Sequence, residues 1–572
     1  MAYLNFSSEY DKHPVIEIRG YDHDAFPDDL AIVSELKKIR SGVIAFEVYP
    51  GCDTVKLRET ILNPLHADLI INIEDYLKPK TILNQLLEPF ITEDRVFGMM
   101  CPFQVADFYD QDRLKAVKAQ VSSTQGKVIV YGFGAIQIPF DQLIYLDITR
   151  WEIQLRFRQG MPNITADNSS EDSLRKFKRG YFVEWRVADR IKCEHYLNSR
   201  YLIDASHPEN YTMITGRSYL AGMEEIVRRP FRLIPYFDPG VWGGKWMEEV
   251  CSLPKAENNY AWAFDGVPEE NALCFRYNEV DFHFPAMNVV CLRPLELLGK
   301  KVVDRFGAEY PIRFDFLDTM GGGNLSLQVH PLPDYIKKTF GMKYTQDESY
   351  YILDASADSC VYLGLKDNVI PSEFIRDLEN ANRGLGDFPD EKYINKFPAR
   401  KHDHFLIPAG TIHCSGKNTM VLEISSTPYI FTFKLWDWGR LGLDGLPRPV
   451  HIHHGKHVIQ YDRTTEWVEE NLINRIERLS LHEERTGLHE LEFIDTHRFT
   501  FSDPITINTH GSFNQCNLVS GRAAIITDPL GTFQPFEVHY AETFIIPELI
   551  RQFRIEPKYS RDECMLIQAY VR

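Results

Sequence analysis

The spacing of the apolar runs changes once along the chain, and this change predicts two different architectures. In roughly the first 200 residues, short apolar runs alternate with polar stretches of helical composition, a pattern typical of βαβ units around a parallel sheet. From about Val290 onward, many short β-like runs are separated by Gly, Pro, Asn and Asp. Close strand spacing of this kind indicates an antiparallel barrel or sandwich.

The same patterns predict individual elements. In the N-terminal region we expect buried strands at Gly42–Val48, Leu69–Ile73, Val96–Met100, Lys127–Tyr131 and Leu143–Asp147. We expect helices there at Lys56–Leu62, Thr81–Leu87 and Arg113–Ser122. In the C-terminal region we expect a helical insert at Ser372–Ala399 and a charged helical linker at Thr464–Leu481, with β structure after it.

A length of 572 residues predicts several domains rather than one core. We expect an α/β domain with a parallel sheet over residues 1–215 and an antiparallel β-barrel domain with a helical insert over 216–460. A linker helix and a smaller β domain would occupy 461–572. The segment Arg228–Gly244 is dense in Pro and Gly, which indicates a domain junction.

Charge and cysteine content exclude several classes of partner. The chain has 63 basic and 81 acidic residues, and its net charge of −18 would repel nucleic acid and anionic lipid. No apolar stretch approaches the ~18 residues of a transmembrane helix. The 10 cysteines occur singly without a CxxC pair, which is typical of reduced cytoplasmic proteins. We therefore expect a cytoplasmic protein that binds neither nucleic acid nor membrane, and the sequence leaves its oligomeric state open.

The segment Gly321–Pro331, GGGNLSLQVHP, carries the most informative chemical signal. Residues two apart on a strand share a face, so Gln328 and His330 would both point into a barrel. A second predicted strand carries Glu348, and a third ends at His413. Two imidazoles, an amide oxygen and a carboxylate form a mixed N/O set suited to zinc, manganese or iron. The alternative is that each is an ordinary hydrogen-bonded core residue.

Six motifs extend this signal: LSLQVHP, DESYYILDA, IPAGTIHCSG, VLEIS, FKLWDWGR and DGLPRPVHI. In order and separation they resemble type I mannose-6-phosphate isomerases, and the resemblance covers about Phe231–Arg572. It implies a jelly-roll-like cupin barrel, a second cupin-like C-terminal domain, and one zinc ion, or another divalent transition metal, held by Gln328, His330, Glu348 and His413. It also implies a metal-dependent aldose–ketose isomerase that interconverts mannose 6-phosphate and fructose 6-phosphate through an enediol.

Such chemistry needs a group that shuttles a proton and a positive group beside the anionic intermediate. Glu423 lies between two apolar residues on a predicted strand and would face the barrel interior. The resemblance makes it a catalytic carboxylate, and the alternative is a buried salt bridge. The resemblance also implies substrate-binding roles for Ser326, Lys434 and Arg440, although Arg440 could simply cap a turn.

The sequence departs from the family pattern at two of these positions. Lys434 stands where most members of the family have arginine, so it cannot offer a bidentate guanidinium. Lys434 remains a catalytic candidate because a point charge can still stabilise an enediolate. Gln346 stands where some members carry a phosphate-binding lysine. The phosphate pocket is therefore where the resemblance is weakest.

The segment Val43–Lys56 has the strand, turn and helix order of a phosphate-binding loop but lacks its chemistry. Val55 precedes Lys56 and Leu57 follows it, where a P-loop has Gly-Lys-Ser or Gly-Lys-Thr. The region resembles a P-loop kinase fold that has lost the residues that bind nucleotide. A structural or regulatory role is therefore expected for it.

A cluster of histidines, His451, His453, His454 and His457, also suggests a metal site. No nearby carboxylate or cysteine completes a ligand set, so we expect solvent-exposed histidines at the end of a strand.

Three hypotheses for function follow from the sequence. The first is a sugar-phosphate isomerase, the second a non-catalytic sugar-phosphate sensor, and the third a bifunctional kinase–isomerase.

Overall fold

The structure is a computed structural model that describes residues 3–255, 258–427, 429–487, 489–560 and 562–572. Its contacts group the chain into two compact units. The α/β unit comprises Val15–Ile226 and Ala272–Leu292, and the β unit comprises Met1–Pro14, Val227–Asn271 and Arg293–Arg572. The three consecutive domains 1–215, 216–460 and 461–572 stay a prediction. In the described parts of the chain, every helix is too short or too polar to cross a bilayer.

The strands are numbered in chain order. They are β1 (Ile16–Glu17), β2 (Ala25–Phe26), β3 (Gly42–Val48), β4 (Leu69–Asn72), β5 (Lys127–Gly132), β6 (Gln142–Asp147), β7 (Tyr201–Asp204), β8 (Thr212–Thr215), β9 (Tyr236–Asp238), β10 (Trp262–Gly266), β11 (Ala272–Tyr277), β12 (Val280–Pro285), β13 (Arg313–Asp318), β14 (Leu327–Val329), β15 (Asp347–Ala355), β16 (Cys360–Leu365), β17 (Ile394–Pro398), β18 (His404–Ile407), β19 (His413–Ser415), β20 (Thr419–Ser426), β21 (Phe433–Trp436), β22 (Glu477–Arg478), β23 (Glu483–Gly487), β24 (Ile494–Phe501), β25 (Ile505–Asn508), β26 (Asn514–Ser520), β27 (Ala523–Thr527), β28 (Phe536–His539), β29 (Thr543–Ile546), β30 (Gln552–Pro557) and β31 (Cys564–Val571).

The α-helices are α1 (Asp29–Leu36), α2 (Thr54–Leu57), α3 (Lys80–Ile91), α4 (Gln111–Ser123), α5 (Arg150–Arg158), α6 (Ser173–Arg179), α7 (Trp185–His195), α8 (Gly216–Ile226), α9 (Trp246–Val250), α10 (Met287–Leu292), α11 (Pro294–Leu298), α12 (Lys300–Phe306), α13 (Pro333–Phe340), α14 (Pro371–Asn382), α15 (Asp390–Tyr393), α16 (Ile452–Gly455) and α17 (Thr465–Asn471). Two π-helical segments, Arg58–Leu62 and Gly180–Glu184, continue α2 and precede α7.

The α/β unit contains a seven-stranded sheet in the order β2-β8-β7-β6-β3-β5-β4. Strands β4, β5, β3, β6 and β7 pair in parallel, whereas β8 and β2 pair antiparallel at one edge. The central strand β3 reads GVIAFEV and is largely buried, as expected for a strand covered on both faces. The predicted parallel α/β architecture is therefore present in this unit.

The prediction of a strand at Val96–Met100 is wrong, and local hydrogen bonds explain why. Asp94 Oδ1 accepts hydrogen bonds from the backbone N–H groups of Val96 (2.7 Å) and Phe97 (2.8 Å). These N–H groups are thereby used by an Asx-type turn instead of a ladder. The predicted helix Lys56–Leu62 is also modified, because α2 ends at Leu57 and a π-helical segment takes over.

A second sheet of the α/β unit was not predicted. Strands β11 and β12 form an antiparallel hairpin, and β1 pairs with β11 in parallel. The prediction of uniformly reduced cysteines is also wrong in this unit. Cys193 and Cys291, 98 residues apart, form a disulfide with a Cα–Cα distance of 5.9 Å, and the other cysteines are free. Long separation hides such a pair from inspection of the sequence.

The described residues of the β unit form four antiparallel sheets. A six-stranded sheet, β18-β15-β20-β13-β10-β9, and a five-stranded sheet, β17-β16-β19-β14-β21, contain the strands that carry the candidate ligands. The insert between β16 and β18 holds α14 and α15 but ends in strand β17. Pro371 occupies the first turn of α14, where its fixed φ favours helix formation. The antiparallel part of the fold prediction agrees with this arrangement, and its assignment to a cupin jelly roll stays a prediction.

Two further sheets form the C-terminal part of the β unit. They are β22-β23-β24-β31-β26-β29 and β25-β30-β27-β28. Their buried apolar residues form one cluster that includes Phe501, Leu518 and Leu566 from the first sheet and Ile526 and Phe553 from the second. The helix of the predicted linker Thr464–Leu481 is shorter than expected, because α17 ends at Asn471.

Candidate metal centre

Strand register brings the predicted metal ligands together. Gln328 on β14 is the direct cross-strand partner of His413 on β19. His330 directly follows β14 and stands two residues after Gln328, so its side chain returns to the face of Gln328. Glu348 comes from β15 in the six-stranded sheet. The two sheets therefore contribute ligand candidates to one buried point.

Three of these side chains are close enough to share one ion. His413 Nε2 lies 2.7 Å from Glu348 Oε1, and His330 Nε2 lies 3.0 Å from Glu348 Oε2. All three side chains are completely buried. The imidazole rings of His330 and His413 are 4.9 Å apart between centroids. Together they form a compact cluster of two imidazoles and one carboxylate.

The outer nitrogens of the two histidines fix the direction of the inner ones. His330 Nδ1 lies 3.0 Å from the carbonyl oxygen of Phe431, and His413 Nδ1 lies 2.9 Å from that of Thr411. A proton on each Nδ1 leaves the Nε2 lone pair pointing at Glu348, which is the usual arrangement of metal-binding histidines. His330 Nε2 and Glu348 Oε1 are buried without a well-formed hydrogen bond among the described residues. The donor set fits a divalent transition metal.

Gln328 would serve as a fourth metal ligand only after rotation of its side-chain amide. Its Nε2 lies 3.2 Å from His413 Nε2. A metal would bind the amide oxygen, and a rotation of 180° about the last side-chain bond exchanges the two atoms. Gln328 therefore occupies the right position as a fourth ligand, with the oxygen turned away.

Charge interactions within the cluster are strong. Burial alone would raise the pKa of Glu348, but His330 and His413 hold it well below its usual value. Burial would lower the pKa of His330, and the charge of Glu348 reverses this and raises it. A cation beside Glu348 is therefore a requirement of this site, whether it is an imidazolium or a metal ion.

Glu423 lies next to this cluster on β20, where it pairs with Asp315 on β13 and Tyr350 on β15. Burial, followed by the negative charges of Glu348 and Asp315, raises the pKa of Glu423 well above its usual value. Burial likewise raises the pKa of Asp315 to about 6, against the opposing effect of Arg313. A buried carboxylate with a raised pKa is suited to proton transfer near neutral pH.

Asp315 and Arg313 were missed by sequence reasoning. Both are buried on β13, and Arg313 Nη2 lies 3.5 Å from Asp315 Oδ2. The signal was available, because RFDFLD alternates charged and apolar residues in the same way as the segment around Glu423.

Lys434 lies on β21 of the five-stranded sheet, which also carries Gln328 and His413. It is the cross-strand partner of Gln328, on the opposite side of β14 from His413. Directly paired residues place their side chains on one face, with Cβ atoms about 4.5–5.5 Å apart. Lys434, Gln328 and His413 therefore form a row across the five-stranded sheet.

The other predicted substrate-binding residues differ in how they are held. Ser326 is buried. It stands two residues before Gln328, so extended backbone would place both side chains on the same side. Arg440 donates through Nη2 to Asp437 Oδ1, while Arg448 Nε lies 2.8 Å from Asp437 Oδ2. Arg440 also donates from its backbone N–H to the Asp437 carbonyl (3.0 Å), so it closes a turn. Arg448 was not predicted.

The side-chain amide of Gln346 forms hydrogen bonds through both its nitrogen and its oxygen. Its Nε2 donates to Glu348 Oε2 at 3.1 Å, and its Oε1 accepts the backbone N–H of Phe431 at 3.0 Å. The side chain positions the metal-centre residues instead of pointing to a ligand.

The histidine cluster agrees with its prediction in part, because His453 and His457 are exposed. His451 is buried, and His453 and His454 lie on the short helix α16 instead of at a strand end. The Tyr335 hydroxyl lies 2.7 Å from His454 Nδ1. The local i to i+4 hydrogen bond from Gly455 N–H to the His451 carbonyl (2.8 Å) explains the helix.

The loop after β3 in the α/β unit is closed by its own side chains. Asp53 Oδ1 accepts the backbone N–H groups of Val55 and Lys56, both at 2.9 Å. The Lys56 ammonium donates to the Pro208 carbonyl (2.9 Å) and lies over the ring of Tyr211. In a phosphate-binding loop, these N–H groups and this lysine would face the phosphates.

The β unit is thus an antiparallel β protein with a buried His–His–Glu cluster, and the chain resembles several proteins with sugar-phosphate names. It is 23% identical over 347 residues to Bacillus subtilis GmuF, named "Probable mannose-6-phosphate isomerase", covering 57% of this chain and 96% of that protein. It is 22% identical over 338 residues to mannose-6-phosphate isomerase ManA of the same species, covering 58% and 97%.

Two further similarities concern a crystal structure and the N-terminal region. The crystal structure of Bacillus subtilis mannose 6-phosphate isomerase matches 60% of this chain and 99% of its own, with 16% identity and a TM-score of 0.47. Residues 30–228 match a family described as a domain of unknown function, DUF8485. This match covers most of the first segment of the α/β unit, Val15–Ile226, and ends two residues beyond it.

Proposed function

We propose that the β unit is a metal-dependent sugar-phosphate isomerase that interconverts mannose 6-phosphate and fructose 6-phosphate. The observation that carries the proposal is the convergence of His330, Glu348 and His413 from two sheets, with Glu423 beside them. The similarity to proteins named mannose-6-phosphate isomerase supports the substrate class. Zinc is the proposed metal, and the cytoplasm the proposed location.

The residues of this chain would hold the metal and move one proton. His330, Glu348, His413 and Gln328 would bind the ion, which supplies a Lewis acid that polarises the sugar oxygens. The Glu423 carboxylate would take the proton from C2 of the aldose and return it to C1, while the O2 hydroxyl proton passes to O1. Atoms and electrons balance without any other reactant.

Substrate binding would use the surrounding polar groups. Lys434 would place its positive charge beside the enediolate or the phosphate. Ser326 would donate its hydroxyl to the phosphate. Arg440 would contribute as part of a cluster in which it and Arg448 share the single carboxylate of Asp437.

The direct test is a coupled assay of fructose 6-phosphate formation by the full chain loaded with zinc. We expect turnover of mannose 6-phosphate, and we expect Glu423→Gln to lower kcat by about 100-fold or more, as for loss of a general acid–base group. Glu469→Gln is the matched control, because Glu469 is an exposed glutamate on α17 of the same unit. Equal rates in wild type and Glu423→Gln would refute the assigned role.

A second hypothesis, a non-catalytic sugar-phosphate sensor, is favoured by one observation. Gln346 stands where some members of the family carry a lysine, and its amide is hydrogen-bonded to Glu348 and to the backbone of Phe431. A weakened phosphate pocket could bind substrate without efficient turnover. Binding of mannose 6-phosphate by calorimetry, with no product in the coupled assay, would establish the sensor and reject the isomerase.

We further propose that the α/β unit is a degenerate P-loop kinase-like domain with a structural or regulatory role. Its strand, loop and helix order at β3 and α2 supports the likeness. Asp53 on the N-terminal N–H groups of α2 places a carboxylate where phosphate oxygens would bind. This arrangement argues against the bifunctional kinase–isomerase hypothesis.

A further inference from the structure

A second cluster of ligand-type side chains lies in the α/β unit. Asp204 ends the parallel strand β7, His207 lies three residues later in the following loop, and His283 lies on β12 of the hairpin. His207 Nε2 is 3.2 Å from His283 Nδ1, and His283 Nδ1 is 3.5 Å from Asp204 Oδ2. The three ligand-type atoms all lie within 4.8 Å of one another.

The position of Asp204 demands a positive partner. Its side chain is completely buried. Its Oδ1 accepts the Ser206 backbone N–H at 2.8 Å, and its Oδ2 accepts that of His283 at 3.0 Å. Among the described residues, its ion pair is with His283 and not with a lysine or arginine. A buried carboxylate of this kind requires either a protonated imidazole or a bound cation.

The spacing of the atoms matches that of ligands around one ion. In a tetrahedral site with zinc–ligand distances of about 2.0–2.1 Å, neighbouring ligand atoms are about 3.3 Å apart. The contacts of 3.2 Å and 3.5 Å at His283 Nδ1 lie on either side of that value. The two rings meet edge to face, at 76° between planes, with a nitrogen of each ring at the contact. Such an arrangement allows both lone pairs to converge on a third atom.

Solvent access distinguishes this cluster from a core hydrogen-bond network. His207 is exposed, and the side chain of His283 is 21% exposed, whereas Asp204 closes the site from below. The loop is held in place because the Thr149 backbone N–H donates to Ser206 Oγ at 3.1 Å. An ion could therefore enter from solvent and keep a water molecule as a fourth ligand.

We propose that Asp204, His207 and His283 form a metal site for zinc or a similar divalent transition metal, separate from the metal centre of the β unit. The ligand set of two imidazoles and one carboxylate leaves one coordination position for water. The ion would link the segment Ala272–Leu292 to the end of β7. This segment belongs to the α/β unit, although Val227–Asn271, which precedes it, belongs to the β unit. The ion would thereby stabilise the α/β unit by linking distant parts of the chain.

The test separates the two metal sites in the full chain. After removal of metals by chelation, Co²⁺ is titrated into a His330→Ala/His413→Ala variant, and d–d absorption and bound metal are measured. We expect this variant to bind one equivalent of Co²⁺. We expect an added His207→Ala to weaken binding by about 100-fold or more, since loss of even an outer partner of a ligand costs about 10–100-fold. An added His23→Ala should change nothing, because His23 is an exposed histidine of the same unit.

A second comparison keeps the test valid if the double variant fails to fold. Zinc content is then measured in wild type, His207→Ala and His23→Ala, each with the β-unit centre unchanged. We expect one equivalent less zinc in His207→Ala alone. Equal zinc content in the three proteins, or Co²⁺ binding that His207→Ala leaves unaltered, would overturn the proposal. The 3.2 Å contact would then be a hydrogen bond between two imidazoles.

Discussion

Lys434 offers the sharpest test of how the proposed isomerase stabilises negative charge. The change is Lys434→Met, which keeps the length of the side chain and removes its charge. Lys434 faces the same side of the sheet as Gln328 and is its direct cross-strand partner. Arg440, the rival anion-binding residue, already pairs with Asp437. Because it is paired with Gln328, we expect Lys434 to contribute positive charge beside the intermediate.

The magnitude follows from the register. The Cβ atoms of directly paired residues are about 4.5–5.5 Å apart, and we take about 5 Å as the separation between the ammonium and an oxygen of a sugar bound on the face of Gln328. At an effective dielectric constant near 20, one such charge pair is worth about 3 kcal/mol. We expect kcat/KM for mannose 6-phosphate to fall by about 200-fold. A fall in kcat would assign the charge to the enediolate, and a rise in KM to the phosphate.

The assay is steady-state formation of fructose 6-phosphate by zinc-loaded protein. Lys337→Met is the matched control, because Lys337 is an exposed lysine on α13 of the same unit. Thermal unfolding of both variants checks that each is folded. A value of kcat/KM for Lys434→Met within about threefold of wild type would refute the electrostatic role. The same measurement on Arg440→Met would then decide whether Arg440 is the anion partner.

Three further predictions test the face assignment, the loop after β3 and a buried histidine. His413→Ala should abolish metal binding and activity, whereas Cys414→Ala, whose side chain points to the opposite face, should retain both; equal losses would refute the assignment. The full chain should show no saturable ATP binding by calorimetry, because Asp53 occupies the helix N–H groups; measurable binding would contradict this. Burial lowers the pKa of His404 to about 3. Below about pH 6.5, His404 therefore binds a proton in the unfolded chain but stays neutral in the folded protein. The free energy of unfolding should therefore fall by about 2 kcal/mol from this residue between pH 7 and pH 5. His404→Gln should remove that part of the pH dependence in urea titrations, and an unchanged dependence would contradict the mechanism.

Strand periodicity explains why the metal centre could be anticipated from the sequence. Gln328 and His330 stand two apart, and a pleated strand must put such residues on one face. Glu348 and Glu423 each lie within an apolar strand, where a carboxylate needs a partner or a purpose. Both arguments concern the strand itself, so they hold whichever neighbouring strand it pairs with. Which strands lie side by side was supplied by the resemblance and not by periodicity.

Nonlocal pairing explains most of what could not be anticipated. The hairpin β11–β12 belongs to the α/β unit although it follows Val227–Asn271, which belongs to the β unit. The cluster of Asp204, His207 and His283 forms because this hairpin packs in the α/β unit. The spacing of the three residues in the sequence therefore does not predict it. Val96–Met100 failed for the opposite reason, because a single side chain, Asp94, diverts the backbone N–H groups of an apolar run.

The candidate phosphate-binding residues show a third limit, because a motif match does not by itself give the role of a side chain. In this chain Gln346 both donates to Glu348 and accepts from the backbone of Phe431. A lysine has three donors and no acceptor, so it could not satisfy the Phe431 N–H. At this position the resemblance allows a phosphate-binding lysine, whereas this chain has a neutral amide that donates to Glu348. The absence of a positive charge and the hydrogen bond to Glu348 both follow from one side chain, which is why the isomerase and sensor hypotheses differ at this position.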